Sequence, residues 1–297
     1  MNKGWLYVAG SMTLSGLLGI VIILLLSTTG PITAVALSVT FSIFYFFFTT
    51  LYSGELSKLF RVAYLKEILL AAFFIGIWFN GLNFLGLSLL QDPNMYSLFL
   101  LTQIMFTYII LGAWGKEEIT TQKIIGTMLM GLGSLVLLYN GSLELSLGAL
   151  ILLLANISPA FGNYYQKKAK EKVSSNIILL FRSVISGVFL WIIVLFVERE
   201  ELMNISYEAL GLAAIIGVIF YGISKVFWLE AIHHLDITTV TSFLTTVPLI
   251  TMIFSFLIFG MLPTIYQVIS FFPIALGALL LIKPDILKNV RPKLFSK

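Results

Sequence analysis

The sequence predicts an all-α membrane protein of ten transmembrane helices, arranged as two inverted five-helix repeats. Three observations predict it: an apolar composition, apolar runs of near-constant length, and basic residues confined to alternate loops. Of 297 residues, 59% are hydrophobic and only 11% are charged. Soluble domains are about a quarter charged, and one core of this size could not bury so much apolar surface. Lipid is therefore the predicted solvent.

Ten apolar runs account for most of the chain, and each approaches the about 20 residues that a helix needs to cross a bilayer. A helix also satisfies its own backbone hydrogen bonds in lipid. The predicted spans are 4–26, 32–52, 68–90, 94–114, 122–140, 145–166, 175–197, 208–232, 238–259 and 264–282. The first run is too long for a signal-peptide core, so we interpret it as a span. The connections are short, and several contain helix breakers such as Asp92-Pro93-Asn94.

Basic residues orient these spans. With the N-terminus in the cytoplasm, the cytoplasmic segments hold 15 of the 18 Lys and Arg residues. The external loops hold only Arg199, and Arg182 and Lys225 fall inside predicted spans. Such a bias in short loops follows the positive-inside rule. We therefore predict a multi-pass protein of the inner (cytoplasmic) membrane with both termini in the cytoplasm.

A shift of 145 residues brings the two halves of the chain into register. Gly115 then coincides with Gly260 and Gln122 with Gln267, each at a junction between spans. The predicted units are 1–142 and 143–287, followed by a basic cytoplasmic tail at 288–297. Because five helices is an odd number, the second unit starts on the opposite side of the membrane. Inverted repeats of this kind support alternating access to a site near the midplane.

Several function classes have no support in the sequence. There is no Cys, which excludes disulfides and thiolate chemistry. No ATP-binding loop, other cofactor motif or nucleic-acid signal occurs, and no cofactor is predicted. His233, His234 and Asp236 form the one candidate cluster for a membrane enzyme, but adjacent His side chains point about 100° apart on a helix. We interpret them as interfacial residues, with an enzyme or a scaffold subunit as the alternative from another class.

The local patterns resemble the drug/metabolite transporter superfamily, specifically its EamA-type ten-helix members. Similarity is carried by Ala231-Ile232-His233-His234-Leu235 with Pro248, by Gly148 to Ala160 with the basic pair Lys167-Lys168, and by Arg182. Gln103 departs from the family pattern, which has a Pro opposite Pro248. The resemblance implies the ten-helix fold and transport of a small metabolite, with export as the implied direction. These patterns carry almost no information about the substrate.

Lys225 is the leading candidate for a functional residue, because ionisable side chains inside a membrane are costly and mark functional sites. It lies about 15 Å deep at 1.5 Å per residue, beyond the full reach of snorkelling. Tyr221 and Trp228 share its helix face by i, i+4, i+7 spacing. The shift of 145 residues places Asn80 and Asn83 opposite Lys225 and Trp228. A structural Lys that pairs with Glu230 or with helix carbonyls is the alternative, although the five-residue separation from Glu230 is poor for a same-helix pair.

Polar residues on other spans complete the predicted binding site. Asn156 and Asn163 bracket Pro159, which is expected to kink the sixth helix. Gln103 and Thr245 lie on polar stripes of the fourth and ninth helices. For all of these the alternatives are structural: Asn joins helices in membranes, and Thr bonds its own helix carbonyls. Arg182 is close enough to the interface to snorkel, so a packing role is favoured for it.

The predicted function is secondary transport of a small metabolite, plausibly an amino acid or another zwitterionic or anionic compound, by alternating access. No Asp or Glu lies near a predicted midplane, which disfavours proton-coupled export of organic cations. Efflux of lipophilic drugs is the alternative within transport. The predicted partners are the small-molecule substrate and the lipid bilayer. Proton coupling through Lys225 and the choice between monomer and homodimer stay open.

Overall fold

The computed structural model describes residues 3–55, 64–116, 118–139 and 146–282, and these residues form helices joined by short connections. We number the helical segments α1 to α10 in chain order. Their bounds are Lys3–Leu26, Pro31–Tyr52, Leu65–Leu90, Pro93–Ala113, Thr121–Tyr139, Leu147–Lys170, Ser175–Val197, Tyr207–His234, Ile237–Phe259 and Ile265–Ile282. Within the described residues, α1 to α9 are long and apolar enough to cross a membrane, and α10 contains a shorter apolar helix. The predicted all-α membrane fold is therefore confirmed.

The distribution of polar and apolar side chains is that of a protein in lipid. Large apolar side chains such as Phe48, Leu132 and Phe196 are exposed on the outside of the bundle. Polar side chains such as Asn83 and Arg182 are buried inside it. Soluble proteins rarely bury such groups or expose so many large apolar ones. The outer surface thus suits hydrocarbon, and the polar interior is where function is expected.

Successive helices run in opposite directions, so their connections gather at two ends of the bundle. We call the end that carries the 167–172 lysine run the basic end. There Lys168 pairs with Glu67 at 3.0 Å, and the Lys167 ammonium donates to the Leu235 carbonyl at 2.9 Å. Gly4 packs against Leu235, so α1 begins at this end.

Residues at four connections meet at the other end, which we call the opposite end, in two clusters. In the first, the Gln267 amide donates to the Asp92 carboxylate at 2.6 Å. In the second, Glu198 accepts from the backbone N–H groups of Ile32 at 3.1 Å and Thr33 at 2.7 Å. The latter contact satisfies donors that a helix N-terminus leaves free and ties α2 to the end of α7.

The packing joins helices of the first five to helices of the last five. α5 packs closely on α10, and α2 packs on α7 and α8. Glycine permits the closest approaches: a Cβ at Gly277 would lie 2.3 Å from the Gly126 carbonyl oxygen, and one at Gly217 would lie 2.4 Å from the Ser38 oxygen. Small residues allow such backbone contact between membrane helices. The two sets of helices therefore form one bundle with a continuous interior.

Several helices depart from regular α geometry. α3 contains a π-helical segment at Ala72–Phe79, and α8 contains one at Ile216–Ile223. α6 is interrupted between Ala155 and Ser158, one turn before Pro159, whose ring removes a hydrogen bond and crowds the preceding turn. α9 contains a short 3₁₀ segment at Phe243–Thr246. All four irregularities lie in the middle of the bundle, where regular ridge packing is broken and space is left between helices.

The helix bounds differ from the predicted ones by a few residues at most ends. The largest extension is at α6, which continues to Lys170 instead of ending at 166. Its last turn is stabilised by Lys170, whose ammonium lies 2.8 Å from the Glu230 carboxylate. The predicted tail at 288–297 lies outside the described residues.

Candidate functional site

A cavity of about 50 Å³ lies in the interior of the bundle. Seven helices contribute to its wall: α1, α3, α4, α6, α7, α8 and α9. A single water molecule needs roughly 10–15 Å³ of such space, so this conformation has room for a few waters or a small polar group. Irregular segments of α3 and α9 line the cavity through Ile75, Phe79 and Leu244, and π-bulges in helices are frequent at functional sites.

Two cationic side chains line the cavity, Lys225 from α8 and Arg182 from α7. Arg182 is 4% exposed and Lys225 is partly accessible. Among the described residues, the cavity wall contains no Asp or Glu. Two cations of the same sign inside a membrane protein are costly without a counter-ion, so the cavity is an electropositive site inside an apolar bundle.

Arg182 begins a chain of side-chain hydrogen bonds along one side of the cavity. Its guanidinium donates to Gln166 Oε1 at 2.8 Å. Gln166 Nε2 donates to Asn163 Oδ1 at 3.5 Å, and the Trp228 indole N–H donates to the same oxygen at 3.0 Å. Because Arg and Trp side chains can only donate, the two ends of the chain fix the orientation of both amides.

This orientation leaves the cavity with unused hydrogen-bond donors. Both amide oxygens already accept hydrogen bonds, whereas Asn163 Nδ2 is buried without a partner. Arg182 uses one of its five N–H groups on Gln166. Ser15, Tyr96 and Gln103 add neutral polar groups. The site can thus offer several hydrogen bonds and two positive charges to a group that accepts.

The alternative partner for Lys225 is engaged elsewhere. Glu230 accepts from the Ser175 hydroxyl at 2.5 Å and pairs with Lys170 at 2.8 Å. In the described part of the chain, Lys225 forms no ion pair. The interpretation of Lys225 as one half of a structural pair with Glu230 is therefore not supported.

The cavity brings together some of the predicted site residues and leaves others apart. Those that line it are Lys225, Trp228, Asn163 and Gln103. Those outside the lining are Tyr221, Asn80, Asn83, Asn156 and Thr245. These five are buried or partly buried within the helix packing. Thr245 bonds a carbonyl of its own helix, as the structural alternative expected. Asn156 also bonds its own helix, whereas the alternative for it was a bond between helices.

Tyr221 and the two α3 asparagines are displaced for a geometric reason. The face predicted for Tyr221, Lys225 and Trp228 assumed 3.6 residues per turn. Tyr221 lies in the π-helical segment of α8, where hydrogen bonds span five residues and the turn is wider. The register therefore slips before Lys225. On α3, Ile75 and Phe79 of the corresponding π-helical segment line the cavity instead.

Two residues line the cavity although neither was predicted to belong to the site. Arg182 was expected to reach the membrane interface, but it is buried and bonded to Gln166. Gln166 was not predicted, because it precedes the basic pair and resembles an interfacial residue. A signal for it exists: Pro159, Asn163 and Gln166 follow i, i+4, i+7 spacing on one face of α6.

A metal site is not indicated. Among residues 3–55, 64–116, 118–139 and 146–282, no group of three or more His, Asp or Glu side chains could hold an ion. His233 and His234 are exposed at the end of α8, which agrees with their interpretation as interfacial residues.

Comparison with known proteins agrees with this architecture. Residues 146–283 match the EamA-like transporter family. An uncharacterized transporter of Bacillus subtilis (strain 168), YyaM, is 26% identical over 217 residues, which are 69% of each chain. A solved crystal structure has a TM-score of 0.71 at 15% identity and covers 99% of both chains, which supports the fold. The chain is thus a multi-pass membrane transporter whose second half is similar to the EamA-like transporter family.

Proposed function

We propose that this protein is a secondary transporter that moves a small anionic or zwitterionic metabolite by alternating access. The observation that carries the proposal is the interior cavity with Lys225 and Arg182 in its wall and no carboxylate beside them. A buried cation without a counter-ion is stabilised by a ligand that supplies one. In membrane proteins such groups mark substrate and ion pathways.

Two inverted five-helix units would provide the moving parts. Gly115 and Gly260, at the ends of α4 and α9, have positive φ angles of 65° and 67°. The π-helical segments of α3 and α8 begin 144 residues apart. α2 packs on its counterpart α7, and α5 on its counterpart α10. These features support a repeat whose two halves rock about a central site.

Polar contacts at the two ends are suited to act as seals. Lys170–Glu230 and Lys168–Glu67 join helices at the basic end. Asp92–Gln267 and the Glu198 contacts with α2 join them at the opposite end. In alternating access the contacts at one end would break while those at the other end hold. By the positive-inside rule the basic end, and with it both termini, faces the cytoplasm.

The energy source is an ion or substrate gradient, since the sequence has no ATP-binding loop. Export from the cell is the direction that the family resemblance implies, and Lys225 is the group through which proton coupling would act. Efflux of lipophilic drugs is less well supported. Pockets for drug-sized ligands have mainly apolar walls, whereas two cationic side chains line this cavity.

Purified protein in liposomes tests the function directly. Flux is measured for a panel of amino acids, organic acids, sugars and lipophilic cations, each loaded on one side. We expect saturable flux of at least one anionic or zwitterionic solute and no flux in protein-free liposomes. If folded protein moved only lipophilic cations, the drug-efflux alternative would be correct.

Variants of Lys225 then test the site. Lys225→Ala should strongly reduce flux of the preferred solute, and Lys225→Arg, which keeps the charge, should retain more of it. Lys3→Ala is the matched control, because Lys3 is exposed at the start of α1. Size-exclusion profiles identify any variant that fails to fold. Full flux in a folded Lys225→Ala protein would exclude Lys225 from the pathway.

A further inference from the structure

We propose that the cavity selects a small organic anion with two negative charges, such as a dicarboxylate or a phosphate ester, and rejects amino acids. This inference rests on the transport function proposed above and narrows its substrate class. It depends on three features of the cavity wall: its net charge, its unused donors and its occupied acceptors.

The net charge of the wall favours a dianion. Arg182 keeps its charge at any physiological pH, and the ammonium group of Lys225 supplies a second positive charge to the same wall. The described residues of the lining include no Asp or Glu, so a neutral or zwitterionic ligand leaves both positive charges uncompensated. A ligand with two negative charges balances both, and a ligand with one balances only one.

The hydrogen-bonding pattern points the same way. Gln166 Oε1 is held by Arg182, and Asn163 Oδ1 is held by Trp228. Asn163 Nδ2 is an unused, buried donor. Oxygens of a carboxylate or a phosphate accept hydrogen bonds only, so they fit this wall without a mismatch.

An ammonium group would fit poorly. It brings three donors and a positive charge into a wall whose two amide oxygens, on Gln166 and Asn163, already accept hydrogen bonds. The remaining acceptors are the neutral groups of Ser15, Tyr96 and Gln103. The amino group of an amino acid would meet repulsion from Lys225 and Arg182, which these neutral groups do not offset.

The test uses three solutes that share a four-carbon chain: succinate, butyrate and 2-aminobutyrate. Glycerol 3-phosphate is added to distinguish a phosphate ester from a dicarboxylate. Flux into liposomes with the full-length protein is measured at neutral pH with the membrane potential clamped. We expect succinate or glycerol 3-phosphate to exceed butyrate and 2-aminobutyrate by at least about tenfold, the ratio that corresponds to 1.4 kcal/mol.

Asn163→Asp should change the preference of the transporter for one solute over another. Loss of folding would lower the flux of every solute and would not change this preference. The aspartate keeps an oxygen for Trp228 and Gln166 and replaces the unused Nδ2 donor with a negative charge. The cavity then carries one net positive charge instead of two. We expect the ratio of dianion flux to butyrate flux to fall by about tenfold or more.

Lys225→Met supplies a second variant with nearly the same side-chain length and no charge. It should also lower the ratio of dianion flux to butyrate flux. Lys3→Met, which removes an exposed cation at the start of α1, should leave the ratio unchanged. Unchanged preference in both Asn163→Asp and Lys225→Met would overturn the inference.

The outcomes separate this inference from the proposed function. If 2-aminobutyrate crosses as fast as succinate and glycerol 3-phosphate, the dianion assignment is wrong and the transporter proposal stands. If folded protein moves none of these solutes and none of the wider panel, both proposals fail. If a dianion is preferred and both variants lose the preference, both are supported.

Discussion

The carboxylate of Glu198 should contribute about 2 kcal/mol to the stability of the bundle. It accepts hydrogen bonds from the backbone N–H groups of Ile32 at 3.1 Å and Thr33 at 2.7 Å, which are the first donors of α2. The cap residue of α2, Gly30, has no side chain with which to do this. Loss of a helix cap costs about 0.5–2 kcal/mol, and a negative charge at a helix N-terminus adds about 0.3–1 kcal/mol.

Glu198→Ala should therefore shift the ratio of folded to unfolded protein by about 30-fold, since 1.4 kcal/mol is a factor of ten. Unfolding by heat and by SDS in detergent micelles, followed by circular dichroism, measures this shift. Glu200→Ala is the matched control, because Glu200 lies in the same loop and is exposed. Glu198→Gln should fall between the two, since its amide keeps one acceptor but not the charge. Equal stability of the Glu198→Ala and Glu200→Ala proteins would refute the reasoning.

Three further predictions follow from the packing and the topology. Gly277→Ala should destabilise the bundle by about 1–3 kcal/mol, because its Cβ would clash with a backbone oxygen of α5. Gly211→Ala, whose Cβ would meet nothing within 4 Å, should instead increase the stability by about 0.5–1 kcal/mol. Thermal unfolding compares the two variants. The double variant Ser42→Cys, Ser183→Cys should form a disulfide on mild oxidation, because the two hydroxyls lie 3.0 Å apart and the chain has no other Cys. Mass spectrometry of the linked peptides detects the disulfide. Its absence would contradict the packing of α2 on α7. Lys3→Cys should resist a membrane-impermeant maleimide in intact cells and react after permeabilisation, whereas labelling of intact cells would reverse the proposed orientation.

The fold could be predicted from the sequence because the requirement for a lipid-facing helix is local. Each span must satisfy its own hydrogen bonds and match one hydrophobic thickness. The first span was predicted at 4–26 and is found at Lys3–Leu26. The end of α6 was placed four residues early, because Lys170 is held by Glu230, a residue 60 positions away. Such a contact leaves no trace in a local pattern.

The site could be predicted only in part, for two physical reasons. Lys225 stands out because a charge inside an apolar run is rare. Tyr221 was assigned to the same face, but the π-helical turn of α8 changes the register between them. Arg182 and Gln166 each resemble interfacial residues when read alone. Their hydrogen bond joins α7 to α6, and it is this pairing that keeps the guanidinium inside the bundle.

The two proposed halves have similar backbone features but different charges, so movement and recognition would depend on different residues. Gly115 and Gly260 have nearly the same φ angle, which supports the proposed repeat. Lys225, in contrast, has Asn80 as its counterpart, and both cations that line the cavity come from the second half. In the proposed mechanism, rocking of the halves would depend on packing that many side chains support, whereas recognition would depend on a few groups in one half. A change of one cavity residue can thus alter the substrate while the mechanism is kept, and similarity of fold alone does not carry the substrate from one relative to another.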